Sequence, residues 1–325
     1  MRILSGIQPT GPIHIGAYIG AISQWKKLQE TNECLIFVAD LHALTIPQDP
    51  KTFSGQIMQT AVELVACGLD PEKCIIFIQS EVKEHSELCW LLNTITPLGE
   101  LERMTQYKDK SRQFKDNINA GLLNYPILQA ADILLYQVDS VPVGQDQKQH
   151  LELTKTIARK FNQKYGETFK VPEALTLETG AKIMALDDPK KKMSKSQPKT
   201  CLFLFDEPEV IKKKIMSAVT DTGKAIKYDP EKKPGIANLL TIYSLVGQKS
   251  IKEIEKKFKN KGYGDFKKSL AELLIMKLEP LRLKKKELLP RDVYVKEILT
   301  RGRKKAQTIA QATMQDVRKK MGLGG

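Results

Sequence analysis

The sequence has no run of about 18 apolar residues, the length a helix needs to cross a bilayer, so no membrane span is expected. It has no C-x-x-C pair. Its five cysteines (Cys34, Cys67, Cys74, Cys89 and Cys201) are odd in number, and Cys34 and Cys74 sit inside apolar runs. That usage argues against a disulfide framework and a structural metal, and fits reduced, mostly buried thiols in a cytoplasmic protein. No internal repeat and no long low-complexity segment occurs. The first residues, Met1-Arg2-Ile3-Leu4-Ser5-Gly6, enter a strand-like run at once, so no signal peptide is expected. Two common phosphate-binding signatures are also missing: the first glycine-rich stretch is neither G-x-G-x-x-G nor a P-loop.

What is present is a globular composition. The 325 residues are 41% hydrophobic and 28% charged, enough for one large domain or two ordinary ones. Net charge is +14, from 52 basic and 38 acidic residues. The excess is clustered in the second half, at Lys212-Lys213-Lys214, Lys256-Lys257, Lys284-Lys285-Lys286 and Arg301-Gly302-Arg303-Lys304-Lys305. Such a balance favours polyanionic partners: nucleotides, nucleic acid or ribosomes.

Periodicity divides the chain. Residues 2–5, 34–39, 74–79 and 138–143 read as strands. Helical patterns fill 15–28, 51–67, 84–96, 99–112, 124–136 and 145–165. Strands alternating with helices predict a parallel sheet with right-handed crossovers, and ligands at the carboxyl ends of its strands. After about 187 the strand signal fades. Helical periodicity then runs through 207–218, 236–246, 250–258, 266–289 and 291–321. The predicted organisation is an α/β parallel-sheet nucleotide-binding domain over 1–187 and an α-helical domain over 188–325, whose last helix can return to the first domain.

Three stretches carry candidate chemistry. The first strand leads into Gly6-Ile7-Gln8-Pro9-Thr10-Gly11-Pro12-Ile13-His14-Ile15-Gly16-Ala17. Gly16 stands at the opening of a helix, where free N–H groups and the positive dipole end favour phosphate. His14 can donate to a phosphate or a ribose, or simply belong to the turn. The second stretch, Lys192-Met193-Ser194-Lys195-Ser196, lies in a proline-flanked loop with four lysines and two hydroxyls in seven residues. It suits a polyphosphate whose charge shifts between oxygens, while composition alone fits a solvated basic loop as well. The third is a helix in which Tyr125, Gln129 and Asp132 share one face. A carboxylate there suits an indole N–H, which donates and cannot accept, or a phenol O–H; a capping or salt-bridged Asp is the alternative.

His14-Ile15-Gly16 after the first strand, with Lys192-Met193-Ser194-Lys195-Ser196 about 180 residues later, resembles the paired signatures of class I aminoacyl-tRNA synthetases. Further segments are similar to the bacterial-type tryptophanyl-tRNA synthetase family. These are Gly99-Glu100-Leu101-Glu102-Arg103-Met104-Thr105-Gln106, Val141-Pro142-Val143-Gly144-Gln145-Asp146-Gln147-Lys148-Gln149-His150-Leu151-Glu152-Leu153-Thr154, Ser217-Ala218-Val219-Thr220-Asp221 and Met321-Gly322-Leu323. The likeness runs nearly the whole length. Two positions depart from it. Ala17 stands where the first signature ends in His or Asn, which removes any side-chain contact to ATP there. Gln129 stands where the family commonly has Met, and matches the sister tyrosyl enzymes instead.

The resemblance implies a Rossmann-like fold, a reaction of tryptophan with ATP to an adenylate and pyrophosphate, then charging of tRNA(Trp) by a homodimer, with Mg²⁺ on the phosphates. It implies tryptophan contacts at Asp132, Tyr125, Gln129, Gln8, His42, Val141, Val143 and Gln147. ATP contacts are implied at Gln8, Pro9, Thr10, Gly16, Ala17, Gly144, Gln145, Asp146, Ile183, Met193, Ser194 and Ser196. Lys192, Lys195 and Lys110, with His14, would carry the chemistry, and no metal-ligating residues are implied. The basic helical half would bind tRNA, with 291–320 as candidate backbone contacts. The rival readings are a tyrosyl-type specificity, raised by Gln129, and a non-catalytic RNA-binding paralogue. The retained Lys192, Lys195 and Asp146 weigh against the second.

Overall fold

Apolar runs short enough for strands and bounded by turn residues become a five-stranded sheet. The computed structural model describes residues 1–108, 118–144, 147–176, 182–195 and 197–324. The strands are β1 (Arg2–Ile7), β2 (Glu33–Val38), β3 (Cys74–Ile78), β4 (Ser140–Val143) and β5 (Glu173–Thr176), in the order β3-β2-β1-β4-β5. Every pairing is parallel, with Ile3 opposite Cys34, Cys34 opposite Cys74 and Ile3 opposite Ser140.

Both faces of the sheet are covered, which is why β2 and β3 read as continuous apolar runs rather than alternating ones. Ile3, Cys34, Ile36, Ile76 and Ile78 face one apolar cluster; Leu4, Leu35, Phe37, Phe77 and Val141 face the other. On the first face lie α1, which runs as Ile15–Ala17, a π-helical turn Tyr18–Ile22 and Ser23–Leu28, and α3 (Pro50–Ala66). Between them in sequence is the short α2 (Asp40–Ala43). The second face is covered by α4 (Glu84–Asn93), α6 (Ala120–Leu135) and α7 (Lys148–Tyr165); the short α5 (Leu98–Glu102) adds Leu101 there. After residue 187 come α8 (Pro208–Ser217), α9 (Pro234–Gly247), α10 (Ile251–Lys257), α11 (Tyr263–Leu288) and α12 (Asp292–Met321). The first apolar cluster does not stop at that point. It continues through Ile211, Ile236, Leu239, Phe266, Leu270 and Leu278.

Helix α12 crosses the exposed edge of the sheet. Its Val295, Ile298 and Leu299 belong to the first cluster, whereas Ala306, Ala310, Met314 and Val317 belong to the second. The crossing point is Gly302, where an added Cβ would lie 1.8 Å from the carbonyl oxygen of Ile76 in edge strand β3. No side chain fits, and the close approach covers an edge that would otherwise offer unpaired backbone groups. Gly302→Ala is expected to destabilise the fold by about 1–3 kcal/mol, the usual cost of overpacking, read as a lower urea midpoint with unchanged slope. An unchanged midpoint would show that α12 can shift away without loss.

Some elements differ from the sequence expectation. Strand β5 was not anticipated, because Glu173-Ala174-Leu175-Thr176 is too short to show a pattern. Helix α2 was also missed, at four residues. Helix α6 begins earlier than the expected 124, since Asn119 caps it by accepting from Leu122 N–H at 3.0 Å. The expected helix over 99–112 is Leu98–Glu102 at its start, and its end lies outside the described residues.

Candidate active site

The strand order reverses between β1 and β4, and the loops leaving their carboxyl ends diverge there. Gln8 follows β1 and Gly144 follows β4, so the two predicted contact stretches flank one crevice.

The turn after β1 is built around His14. Its backbone is extended, and its Nδ1 accepts from the Ala17 N–H at 3.3 Å, capping α1. Burial lowers its pKa to about 4, helped by the nearby charges of Lys195 and Lys192. The ring is therefore neutral at pH 7. With Nδ1 accepting, the proton sits on Nε2, which can donate to a phosphate oxygen. Gly16 packs behind this ring; a Cβ there would be 3.1 Å from His14 and 3.5 Å from Ile183.

The second signature is brought onto the first. Lys195 Nζ donates to the Gly11 carbonyl at 2.8 Å, across 184 residues of sequence. Burial lowers the Lys195 pKa, while Glu63 and Cys201 favour its charge. Its loop is a ribbon: Met193 N–H donates to Ile183 O at 3.0 Å and Ala185 N–H to Lys191 O at 2.8 Å. Asn238 of α9 clamps the ribbon, accepting from Met184 N–H and donating to Met184 O, both at 2.9 Å. Met193 is buried, whereas Lys192 and Ser194 are exposed.

Beside this turn is a cavity of about 240 Å³, lined among others by Gln8, Tyr125, Gln129, Asp132, Val141 and Gln147. His42 and Val143 line it as well. All eight residues expected at the tryptophan site therefore converge. The sequence did not reveal what surrounds Asp132. Its Oδ2 accepts from His42 Nε2 at 2.7 Å, and its Oδ1 accepts from His85 Nδ1 at 2.6 Å and Gln79 Nε2 at 2.7 Å. Burial alone would raise this carboxyl, but the two imidazoles outweigh it and hold it near about 2. An ionised acceptor forces the protons onto His42 Nε2 and His85 Nδ1, and the other ring nitrogen of His85 lies 2.8 Å from the Tyr136 hydroxyl. Asp132 is thus already partnered by three hydrogen bonds. This does not close the site, because a carboxylate offers about four lone-pair positions and three are used.

Tyr125 O–H donates to Gln106 Oε1 at 3.1 Å and its oxygen lies 2.9 Å from His150 Nε2. Gln129 Nε2 donates to Gln147 Oε1 at 3.3 Å. His85, Gln79, Gln106 and His150 were missed because their partners are distant in sequence. Tyr136, one helical turn beyond Asp132, could have been found by extending the helix face. Pro9 and Thr10 lie in the turn itself, and Ala17 in the first turn of α1. Lys110, Gln145, Asp146 and Ser196 lie outside the described residues.

The neutral state of His14 has a pH consequence. Its folded pKa lies below the ordinary 6.5, so between about pH 6.5 and 4 the unfolded chain binds more protons. This contribution to stability is fully present above pH 6.5 and is lost as pH falls towards 4. His14→Asn is expected to flatten the acid-side slope of unfolding free energy against pH. An identical slope in the variant would remove the buried neutral imidazole.

The family described as tRNA synthetases class I (W and Y) matches residues 1–279. A tryptophan–tRNA ligase of Helicobacter pylori is 53% identical over 324 residues, covering 99% of this chain and 98% of that protein. One from Caldanaerobacter subterraneus is 49% identical over the same shares. Among solved structures, a tryptophanyl-tRNA synthetase from Mycoplasma pneumoniae superposes with a TM-score of 0.89 at 36% identity, covering 99% of this chain and 98% of that one. One from Campylobacter jejuni, complexed with ADP and tryptophan, gives 0.86 at 40% identity, covering 99% and 100%. The chain belongs to the class I tRNA synthetases of the tryptophan and tyrosine group.

Proposed function

We infer that this chain activates L-tryptophan with ATP, giving tryptophanyl-adenylate and pyrophosphate, and transfers the tryptophan to tRNA(Trp). The observation that carries this is the contact of Lys195 with Gly11 beside His14, next to a cavity lined by the buried carboxylate of Asp132. The specificity for tryptophan rests on likeness over the whole chain to tryptophan–tRNA ligases about half identical to it.

A tryptophan carboxylate oxygen attacks the α-phosphorus, and the bond to the pyrophosphate oxygen breaks. The attacking carboxylate is already ionised, so no general base is needed, and catalysis is positioning plus electrostatics. Asp132 accepts from the indole N–H, Tyr125, Gln129 and Gln147 hold the amino-acid end with Gln8 and His42, and Val141 and Val143 form the apolar wall. Gln8, Pro9, Thr10, Gly16, Ala17, Gly144, Ile183, Met193 and Ser194 face the nucleotide, as would Gln145, Asp146 and Ser196. His14 Nε2–H and the ammonium groups of Lys195, Lys192 and Lys110 take the charge that builds on the leaving pyrophosphate. Mg²⁺ enters on the phosphates of ATP as part of the substrate. Among the described residues no cluster of three His, Cys, Asp or Glu side chains could hold a metal ion.

Residues 1–187 serve ATP and tryptophan together with the Lys192–Lys195 loop, and the rest of 188–325 supplies the tRNA surface, with the basic face of α12 on the phosphate backbone. The working unit is a homodimer. Supporting this are the resemblance and large apolar side chains left exposed near the cavity's helices, Trp90 at 70% and Leu98 at 57%. The deciding experiment is pyrophosphate exchange with each of the twenty amino acids. Exchange with tryptophan alone is expected. Exchange with tyrosine would favour the reading raised by Gln129, and no exchange would leave an RNA-binding paralogue.

A further inference from the structure

Helix α3 carries one carboxylate that no step above uses. Glu63 is 0% exposed. Its Oε2 accepts from the Ile13 N–H at 2.8 Å; its Oε1 accepts from Lys285 Nζ at 2.7 Å and Gln59 Nε2 at 2.8 Å. Its helix is packed into the first apolar cluster through Ala61, Val62, Leu64 and Val65, and Ile13 belongs to the same cluster. A buried ion pair in such a place is weak support for stability, since hydrocarbon of the same volume often does as well. What distinguishes Glu63 is what it touches.

Ile13 immediately precedes His14. Its carbonyl accepts from Leu204 N–H at 2.8 Å, and the Ile15 N–H donates to Leu202 O at 2.9 Å. The 202–204 segment therefore holds one side of the turn, and Glu63 holds the other through the Ile13 N–H. Lys285 reaches Glu63 from α11, in the helical half, with its ammonium 4.5 Å from the Phe205 ring centroid. The same carboxylate favours the charge on Lys195. One side chain thus touches the first signature and the helical half.

We propose that Glu63 is a positioning residue for the nucleotide-binding turn: it fixes the Ile13 peptide, and with it the His14 ring and the opening of α1, while Lys285 holds its carboxylate in place. This rests on the reading of that turn as the ATP site. Glu63 touches neither substrate.

Two double variants of the full chain test it. Glu63→Gln with Lys285→Met, and Glu63→Leu with Lys285→Met, each remove one negative and one positive charge. Only the first keeps an oxygen that can accept from Ile13 N–H. ATP affinity is measured by calorimetry, and KM and kcat for ATP and tryptophan by pyrophosphate exchange. The Leu/Met variant is expected to lose about 10-fold or more in ATP affinity or kcat, with tryptophan KM little changed. The Gln/Met variant is expected to stay near wild type. Equal ATP parameters in the two variants, or a parallel loss for ATP and tryptophan, would overturn the proposal. Should the Leu/Met variant not fold, hydrogen exchange at the Ile13 amide of the wild-type chain decides: slow exchange is expected, and the rate of an unprotected amide would overturn it. Absence of tryptophan-dependent exchange in the wild type would instead sink the functional reading, and ATP calorimetry would still judge Glu63.

Discussion

Asp132→Asn is expected to lower tryptophan-dependent pyrophosphate exchange by about 10³-fold, the order seen when one partner of a buried, charge-assisted contact is lost. The carboxylate already accepts from His42, His85 and Gln79 and keeps room for one more donor. A carboxamide presents an N–H₂ group where an acceptor was. Either a histidine or glutamine donor, or the indole N–H, then faces another donor. The same geometry changes the expectation for folding. Spacing alone suggests a projecting Asp whose replacement is harmless to stability. A fully buried acceptor of three hydrogen bonds should instead cost about 1–3 kcal/mol when neutralised. Exchange must therefore be measured well below the variant's melting temperature. Wild-type KM and kcat for tryptophan would remove Asp132 from the recognition of the indole.

Lys195→Ala is expected to slow single-turnover adenylate formation by about 10²–10³-fold, the usual loss for one preorganised electrostatic contact at a transition state. The ammonium is held on the Gly11 carbonyl within the His14 turn, so it is aimed before ATP arrives. Preorganisation of this kind costs little at the moment of reaction. Tryptophan affinity measured by calorimetry should stay near wild type, because Lys195 is not among the residues lining the cavity. An unchanged single-turnover rate would sink the assignment. Lys192, by contrast, is exposed in the described structure.

Much of this architecture was legible in the chain itself. β2 and β3 read as strands because both faces of each are buried, which leaves short unbroken apolar runs. Tyr125, Gln129 and Asp132 could be placed on one face because helix geometry is local. β5 could not be read, since four residues at a sheet edge carry no periodicity. Nor could His42, His85 and Gln79 be assigned to Asp132, because nothing local records a partner 90, 47 or 53 residues away. Gly302 is visible in sequence only as a gap in a basic run. Its need to be glycine appears when α12 is seen to cross the Ile76 carbonyl.

By itself the sequence determined most of the longer elements, the parallel sheet and the two signature stretches. These depend on local spacing and on which chemical groups are present. Tertiary structure alone decided that Lys195 lies on Gly11, that Asp132 accepts from two imidazoles, and that Glu63 joins the first turn to α11. Each of these is a contact between distant segments inside a low-dielectric interior. Burial there sets the charge state, and packing sets the partner.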